Sequence, residues 1–155
     1  MRKIITKSAP ETKRLASQLA KKFIKSKPIK QARVLGLVGE LGSGKTTFIQ
    51  GFIKMLGVRH RVMSPTFLIF RPYPIRSNKY KTAYHVDLYR IHSRKELTRL
   101  GFKGILANRR NVILIEWADK LRHYLPRETI WIHFSHGESQ NERIIVIESE
   151  AALKI

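Results

Sequence analysis

Eight consecutive residues, Gly39-Glu40-Leu41-Gly42-Ser43-Gly44-Lys45-Thr46, match the G-x-x-x-x-G-K-[ST] phosphate-binding pattern in full. The chemistry depends on their order. Glycines let the backbone turn so that successive N–H groups converge on phosphate oxygens, Lys45 reaches the β- and γ-phosphates, and the Thr46 hydroxyl can ligate Mg²⁺. A helix beginning at the loop adds its positive N-terminal end to the same anion site. Leu41, Gly42, Ser43, Gly44, Lys45, Thr46 and Thr47 are therefore the candidate nucleotide-binding residues. ATP and Mg²⁺ are the expected cofactors.

The metal and the attacking water call for carboxylates at the ends of neighbouring strands. Two runs supply them. Residues 82–87 read as a strand ending in Asp87, and residues 111–117 as a buried strand carrying Glu116 near its end. The second run is the more strand-like, so Glu116 is assigned to Mg²⁺ with Thr46. Asp87 is left to orient the attacking water or the metal's water shell. Ligands of open α/β sheets gather at the carboxyl ends of strands, where both carboxylates are expected. Ser64 and Thr66 lie between the first loop helix and the next strand, as a switch segment does, and a hydroxyl there could sense the γ-phosphate. Arg90 is a candidate to neutralise phosphoryl charge. Trp117 reads as core packing, with stacking on a base or a partner as the alternative.

The elements that must position these residues follow from periodicity. Residues 33–38 form a short apolar run, as a buried strand does. Phe48, Ile49, Phe52, Ile53 and Leu56 recur at helical spacing, and Gly57 marks the helix stop. Upstream, residues 3–7 suggest a first strand. Ser8 and Glu11 suggest a capped helix bearing Leu15, Leu19, Phe23 and Ile24 and ending by residues 26–28. Pro65 blocks a helix, and the β-rich run after it to Phe70 reads as a strand. Residues 71–81 read as a solvent loop. Ser93 caps a helix carrying Leu97 and Leu100, which Gly101 interrupts. A short helix is expected over 118–124, then a terminal strand pair at 129–134 and 143–147 joined by a polar turn. All of this fits one domain over residues 1–155.

Composition bounds the rest. With no cysteine, disulfides, thiolate catalysis and thiolate metal sites are excluded, which fits a reducing cytosol. No apolar run approaches the roughly 18 residues of a membrane span, so the expected location is cytoplasmic, with no membrane partner. The six histidines do not assemble a metal site by spacing. Asn78-Lys79-Tyr80-Lys81 starts like a guanine-reading motif but ends in lysine instead of aspartate, which argues for ATP over GTP. There are 31 Lys and Arg against 11 Asp and Glu, a formal net charge of +20. Such an excess points to a polyanionic partner or to a solvated basic surface.

Four motifs together resemble the small TsaE (YjeE) ATPases of bacterial tRNA threonylcarbamoyladenosine synthesis. They are residues 39–48, Ser-Pro-Thr-Phe at 64–67, His-Val-Asp-Leu-Tyr-Arg at 85–90, and Ile-Glu-Trp-Ala-Asp at 115–119. The resemblance runs from about Thr12 to Glu148. It implies an α/β, P-loop NTPase-like three-layer sandwich with a small, mixed parallel and antiparallel sheet. It also implies weak, Mg²⁺- and partner-dependent ATP hydrolysis. In that family the ATPase works with the TsaB–TsaD pair, which modifies the adenosine following the anticodon of tRNA. By position, Lys45 and Thr46 take the phosphate and metal roles, Glu116 resembles the magnesium carboxylate, and Asp87 the second acidic residue needed for hydrolysis. Residues 64–67, with Thr66, resemble the switch, and Thr12 the threonine near the adenine. The charge departs from the near-neutral or acidic balance expected of the family, and raises direct tRNA contact. Two other readings remain open from the residues: a small-molecule or nucleoside kinase, and a basic tRNA-binding module with an inactive loop.

Overall fold

The computed structural model describes residues 1–27, 29–65 and 67–148. Its chain order is β1 (Arg2–Thr6), α1 (Ala9–Lys25), β2 (Arg33–Gly39), α2 (Lys45–Met55), β3 (Phe70–Pro74), β4 (Thr82–Asp87), α3 (Arg94–Arg99), α4 (Phe102–Ala107), β5 (Asn111–Glu116), a 3-10 segment (Ala118–Tyr124), β6 (Ile130–His136) and β7 (Arg143–Ile147). The strands form one sheet in the order β1-β7-β6-β2-β5-β4-β3. Its centre is parallel, with β2 between β5 and β6 and β4 beside β5, and both edges are antiparallel.

Three layers follow from the side-chain alternation of the strands. Leu35, Leu37, Val112 and Leu114 point to one face, where they meet Phe48, Ile49, Phe52 and Phe23 of α2 and α1. Val34, Ile113, Ile115 and Val86 point to the other, against Leu97, Phe102 and Leu106 of α3 and α4. This is the expected P-loop NTPase-like α/β sandwich with a mixed sheet.

Local chemistry sets the element ends. The Ser8 hydroxyl caps α1 by accepting from the Glu11 N–H at 3.3 Å, while the Glu11 carboxylate accepts from the Lys7 N–H at 2.7 Å. Ser93 and Glu96 form a reciprocal capping box at α3. Gly101, at φ +74°, ends that helix and starts α4.

One expectation is overturned. The run leading to Phe70 is not a strand: the Leu68 N–H turns back onto the Pro65 carbonyl, and Phe67 and Leu68 stand 88% and 58% exposed. The strand lies later, at Phe70–Pro74, starting on the last residue of that run and extending into the stretch 71–81 read as a solvent loop. It is recruited by β4, which pairs Phe70 with Val86 and Pro74 with Thr82. Its place at the sheet edge is what tolerates Pro72 and Pro74, since their missing N–H groups have no second neighbour to serve.

The α1–α2 contact is close because Gly51 faces the α1 backbone. A Cβ there would stand 2.5 Å from the Lys13 carbonyl oxygen and 2.6 Å from its Cα. The Gly51 carbonyl also accepts from the Ser17 hydroxyl at 3.1 Å. Gly51→Val is expected to destabilise the fold by about 3 kcal/mol, the upper end of the usual cost of overpacking. A lowered denaturation midpoint at unchanged slope would report it.

Candidate functional site

The phosphate-loop pattern sits between the end of β2 and the start of α2. Gly42 at φ +74° and Gly44 at φ +101° take the left-handed turns that a side chain resists. A third constraint lies at Gly39, where a Cβ would stand 2.4 Å from the Phe134 carbonyl oxygen and 2.9 Å from Ser43 Oγ. The loop therefore packs against β6, and Ser43 Oγ is buried with no hydrogen-bond partner in the described residues.

Lys45 is buried, and its Nζ donates to the Gly39 and Glu40 carbonyls at 2.7 and 2.8 Å. The same ammonium lies 4.2 Å from the centre of the Trp117 ring, a cation–π distance. Burial holds the Lys45 pKa below its ordinary 10.5, against the upward pull of Glu116, Asp87 and Asp119. Trp117 reaches this position through a backbone φ of +59°, the one non-glycine residue in the left-handed region among those described. Such a conformation costs about 1–3 kcal/mol and persists only when surrounding contacts impose it. Here the tertiary contacts include the lysine beneath the ring, Tyr89, whose ring centre is 5.2 Å away, and the core on the α3–α4 side of the sheet.

Register brings the carboxylates together. Asp87 and Glu116 are direct partners across β4 and β5, so their side chains share the face toward α2. The Thr46 hydroxyl donates to Glu116 Oε1 at 2.8 Å, closing a contact between residues seventy apart. The same oxygen accepts from His85 Nε2 at 2.7 Å. An ionised carboxylate only accepts, so the hydrogen is on Nε2, and the wholly buried His85 has an unpartnered Nδ1. Asp87 Oδ1 accepts from the Tyr89 N–H at 2.9 Å.

A cleft of about 420 Å³ joins these groups. Of the predicted residues, Thr12, Leu41, Gly42, Gly44, Lys45, Thr46, Thr47, Asp87 and Glu116 line it, as do Ser64 and Arg90. Ser43 lies beneath the loop. Thr12 is almost wholly buried, with its hydroxyl 2.7 Å from that of Thr6. Thr66 lies outside the described residues. Asn78 and Lys79 are in a different recess, at the far end of α1.

Four contributors were given no role in the sequence reading, although His85 and Tyr89 lie inside one of its motifs. Arg143 was read only as part of a strand, yet its side chain lies against Gly44 and lines the cleft with Asn141. Tyr89 forms another wall. His85 supports Glu116; its signal was the two-residue spacing to Asp87, which places both on one strand face.

The donor set suits a nucleotide with a divalent ion: loop N–H groups and a lysine for phosphates, a hydroxyl and a carboxylate oxygen for a hard cation. A family model described as "Threonylcarbamoyl adenosine biosynthesis protein TsaE" matches residues 6–145. The chain belongs to the TsaE family. Among TsaE relatives, a Rickettsia felis protein named tRNA threonylcarbamoyladenosine biosynthesis protein TsaE is 35% identical over 97% of this chain and 83% of its own length. A protein of the same name from Bacillus subtilis is 36% identical over 86% of this chain and 78% of its own. The crystal structure of Bacillus subtilis YdiB superposes with a TM-score of 0.72 at 32% identity, covering 94% of this chain and 83% of that one. No helix among the described residues is long and apolar enough to cross a membrane.

Proposed function

We propose that this TsaE-family chain is a Mg²⁺-dependent ATPase acting in tRNA N6-threonylcarbamoyladenosine modification, as an accessory switch on the TsaB–TsaD pair. The observation that carries the reading is the Thr46–Glu116 hydrogen bond beside Lys45, inside a complete phosphate loop. The names of the relatives supply the pathway.

In this reading the loop N–H groups and Lys45 bind the phosphates. Lys45 exchanges its two carbonyl acceptors for phosphate oxygens, which return full charge stabilisation to a buried ammonium. Thr46 and Glu116 would hold Mg²⁺, which neutralises charge on the phosphate oxygens when bound. His85 fixes the Glu116 carboxylate from behind. Asp87, beside it on β4, orients the attacking water and accepts its hydrogen bond. Trp117 and Tyr89 shield the lysine from solvent.

ATP hydrolysis with Mg²⁺, measured with and without TsaB–TsaD and tRNA, tests the proposal. Slow turnover alone that rises with the partners supports it; nucleotide binding with no response to the partners sinks the switch role. A kinase reading is favoured by one observation. A recess of about 240 Å³, lined by Pro65, Phe67 and Ile69, shares Asp87, Tyr89 and Arg90 with the main cleft. An acceptor hydroxyl held there would be phosphorylated with ATP in excess, and a screen of small acceptors decides it.

A further inference from the structure

A second concave surface lies away from the nucleotide cleft. Three recesses of about 830, 220 and 780 Å³ adjoin one another: the first two share Arg59 and His60, and Arg76 lines all three. Lys13, Lys54, Arg59 and Arg61 flank one end. Lys25, Lys79 and Lys81 flank the other. All of these cations are exposed, no described carboxylate lines any of the three recesses, and no ion pair among the described residues neutralises them. By contrast, the nucleotide cleft sets Asp87 and Glu116 beside its cations.

The walls are built rather than incidental. Lys79 Nζ donates to the Ile24 and Ser26 carbonyls at 3.2 and 3.5 Å, which ties the turn before β4 to the end of α1. Tyr80 is buried below it, its ring 5.8 Å from that of Phe23. Lys54 lies near the end of α2 opposite Lys45, nine residues or about 14 Å along the helix, while at its Lys13 end the groove comes within one residue of Thr12 in the nucleotide cleft.

The groove's chemistry selects its ligand. Of its apolar lining, Val58, Val62 and Ile75 are buried, Ile24 is half-buried and only Pro74 is exposed, so it offers no large aromatic or aliphatic anchor of the kind protein interfaces use. Among the exposed large apolar residues, Leu41 and Tyr89 line the nucleotide cleft and Phe67 the recess beside it, and none lines the groove. An elongated surface of unpaired lysines and arginines fits a chain of phosphates, where each contact releases counterions. We propose that this groove binds the sugar–phosphate backbone of RNA, at the same time as and separately from the nucleotide. The choice of RNA rests on the tRNA-modification reading above.

The test is fluorescence anisotropy with an unmodified tRNA transcript over a salt series. It compares the wild type with a groove variant combining Arg59→Ala, Arg61→Ala and Arg76→Ala. A control variant of equal charge change, Lys95→Ala, Arg99→Ala and Lys103→Ala, alters α3 and α4. Binding by the wild type, an affinity lower by about tenfold or more in the groove variant, a salt slope reduced by about 2 and a control within about twofold support the proposal. No binding by the wild type overturns it, as does equal loss in both variants, which would mean net charge alone. Polyglutamate bound as tightly as the transcript, and lost in the groove variant, would also overturn it by pointing to an acidic protein partner. A fluorescent ATP analogue titrated in parallel checks that the groove variant is folded. It also separates the two readings, since failure of the wild type to bind the analogue counts against the ATPase alone.

Discussion

Lys45→Ala is expected to abolish ATP hydrolysis and to weaken nucleotide binding by tenfold or more. The lysine is the cation that the phosphate loop itself supplies, and its two present acceptors, the Gly39 and Glu40 carbonyls, belong to the loop. Charge-assisted hydrogen bonds of this kind are worth about 1.5–3 kcal/mol each, and about 1.4 kcal/mol is a factor of ten in affinity. The variant should nevertheless fold. Burial already disfavours the Lys45 charge, so removing it relieves a desolvation cost while giving up two hydrogen bonds and the Trp117 contact. Hydrolysis assays with an analogue titration separate the effects. Near-normal turnover in a folded Lys45→Ala protein would remove the phosphate loop from the chemistry.

The second large effect distinguishes the two carboxylates. Glu116→Gln should lose most of the Mg²⁺ enhancement of nucleotide binding, because a neutral amide lacks the negative charge of the carboxylate through which Mg²⁺ is usually held. The amide can still stay near Thr46 and His85, whereas Glu116→Ala would leave a wholly buried imidazole with neither nitrogen partnered, at a folding cost of about 1–3 kcal/mol. Asp87→Asn should bind Mg²⁺ and ATP almost normally yet turn over at least a hundredfold more slowly, the usual scale of a lost general base. Titrating Mg²⁺ against both variants with a fluorescent analogue, alongside turnover, checks the assignment. If Asp87→Asn loses the metal and Glu116→Gln keeps it, the two roles are exchanged.

The placement of these residues was legible to different degrees. Glu116 is in a continuous apolar run, the signature of a strand buried on both faces, and the wholly buried β5 answers to it. Asp87 closes a less apolar run that still reads as a strand, and β4 is found there. The region around Phe67 was misread because β-propensity describes fit to a half-buried surface, not a commitment to one. Phe67 and Leu68 have no sheet to cover, whereas the proline-bearing Phe70–Pro74 has β4 beside it. Arg143 was passed over for a related reason: a charged residue opening a strand is ordinary until the strand's neighbours are known.

By itself the sequence determined the phosphate loop, the strand–loop–helix around it, the strand-end carboxylates and the family, because each depends on residues adjacent in the chain or on their short-range periodicity. Tertiary structure decided the rest. Only strand order and register put Asp87 opposite Glu116 and set His85 behind the carboxylate that receives Thr46. Only the packing of the 3-10 segment beside β2 lays Trp117 over Lys45. The same holds for the basic groove, whose lysines and arginines are scattered from residue 13 to residue 81. Cations distant in sequence converge on one surface only when helix ends and a hairpin are fixed against each other, and that is set by the burial of a shared core rather than by local preference.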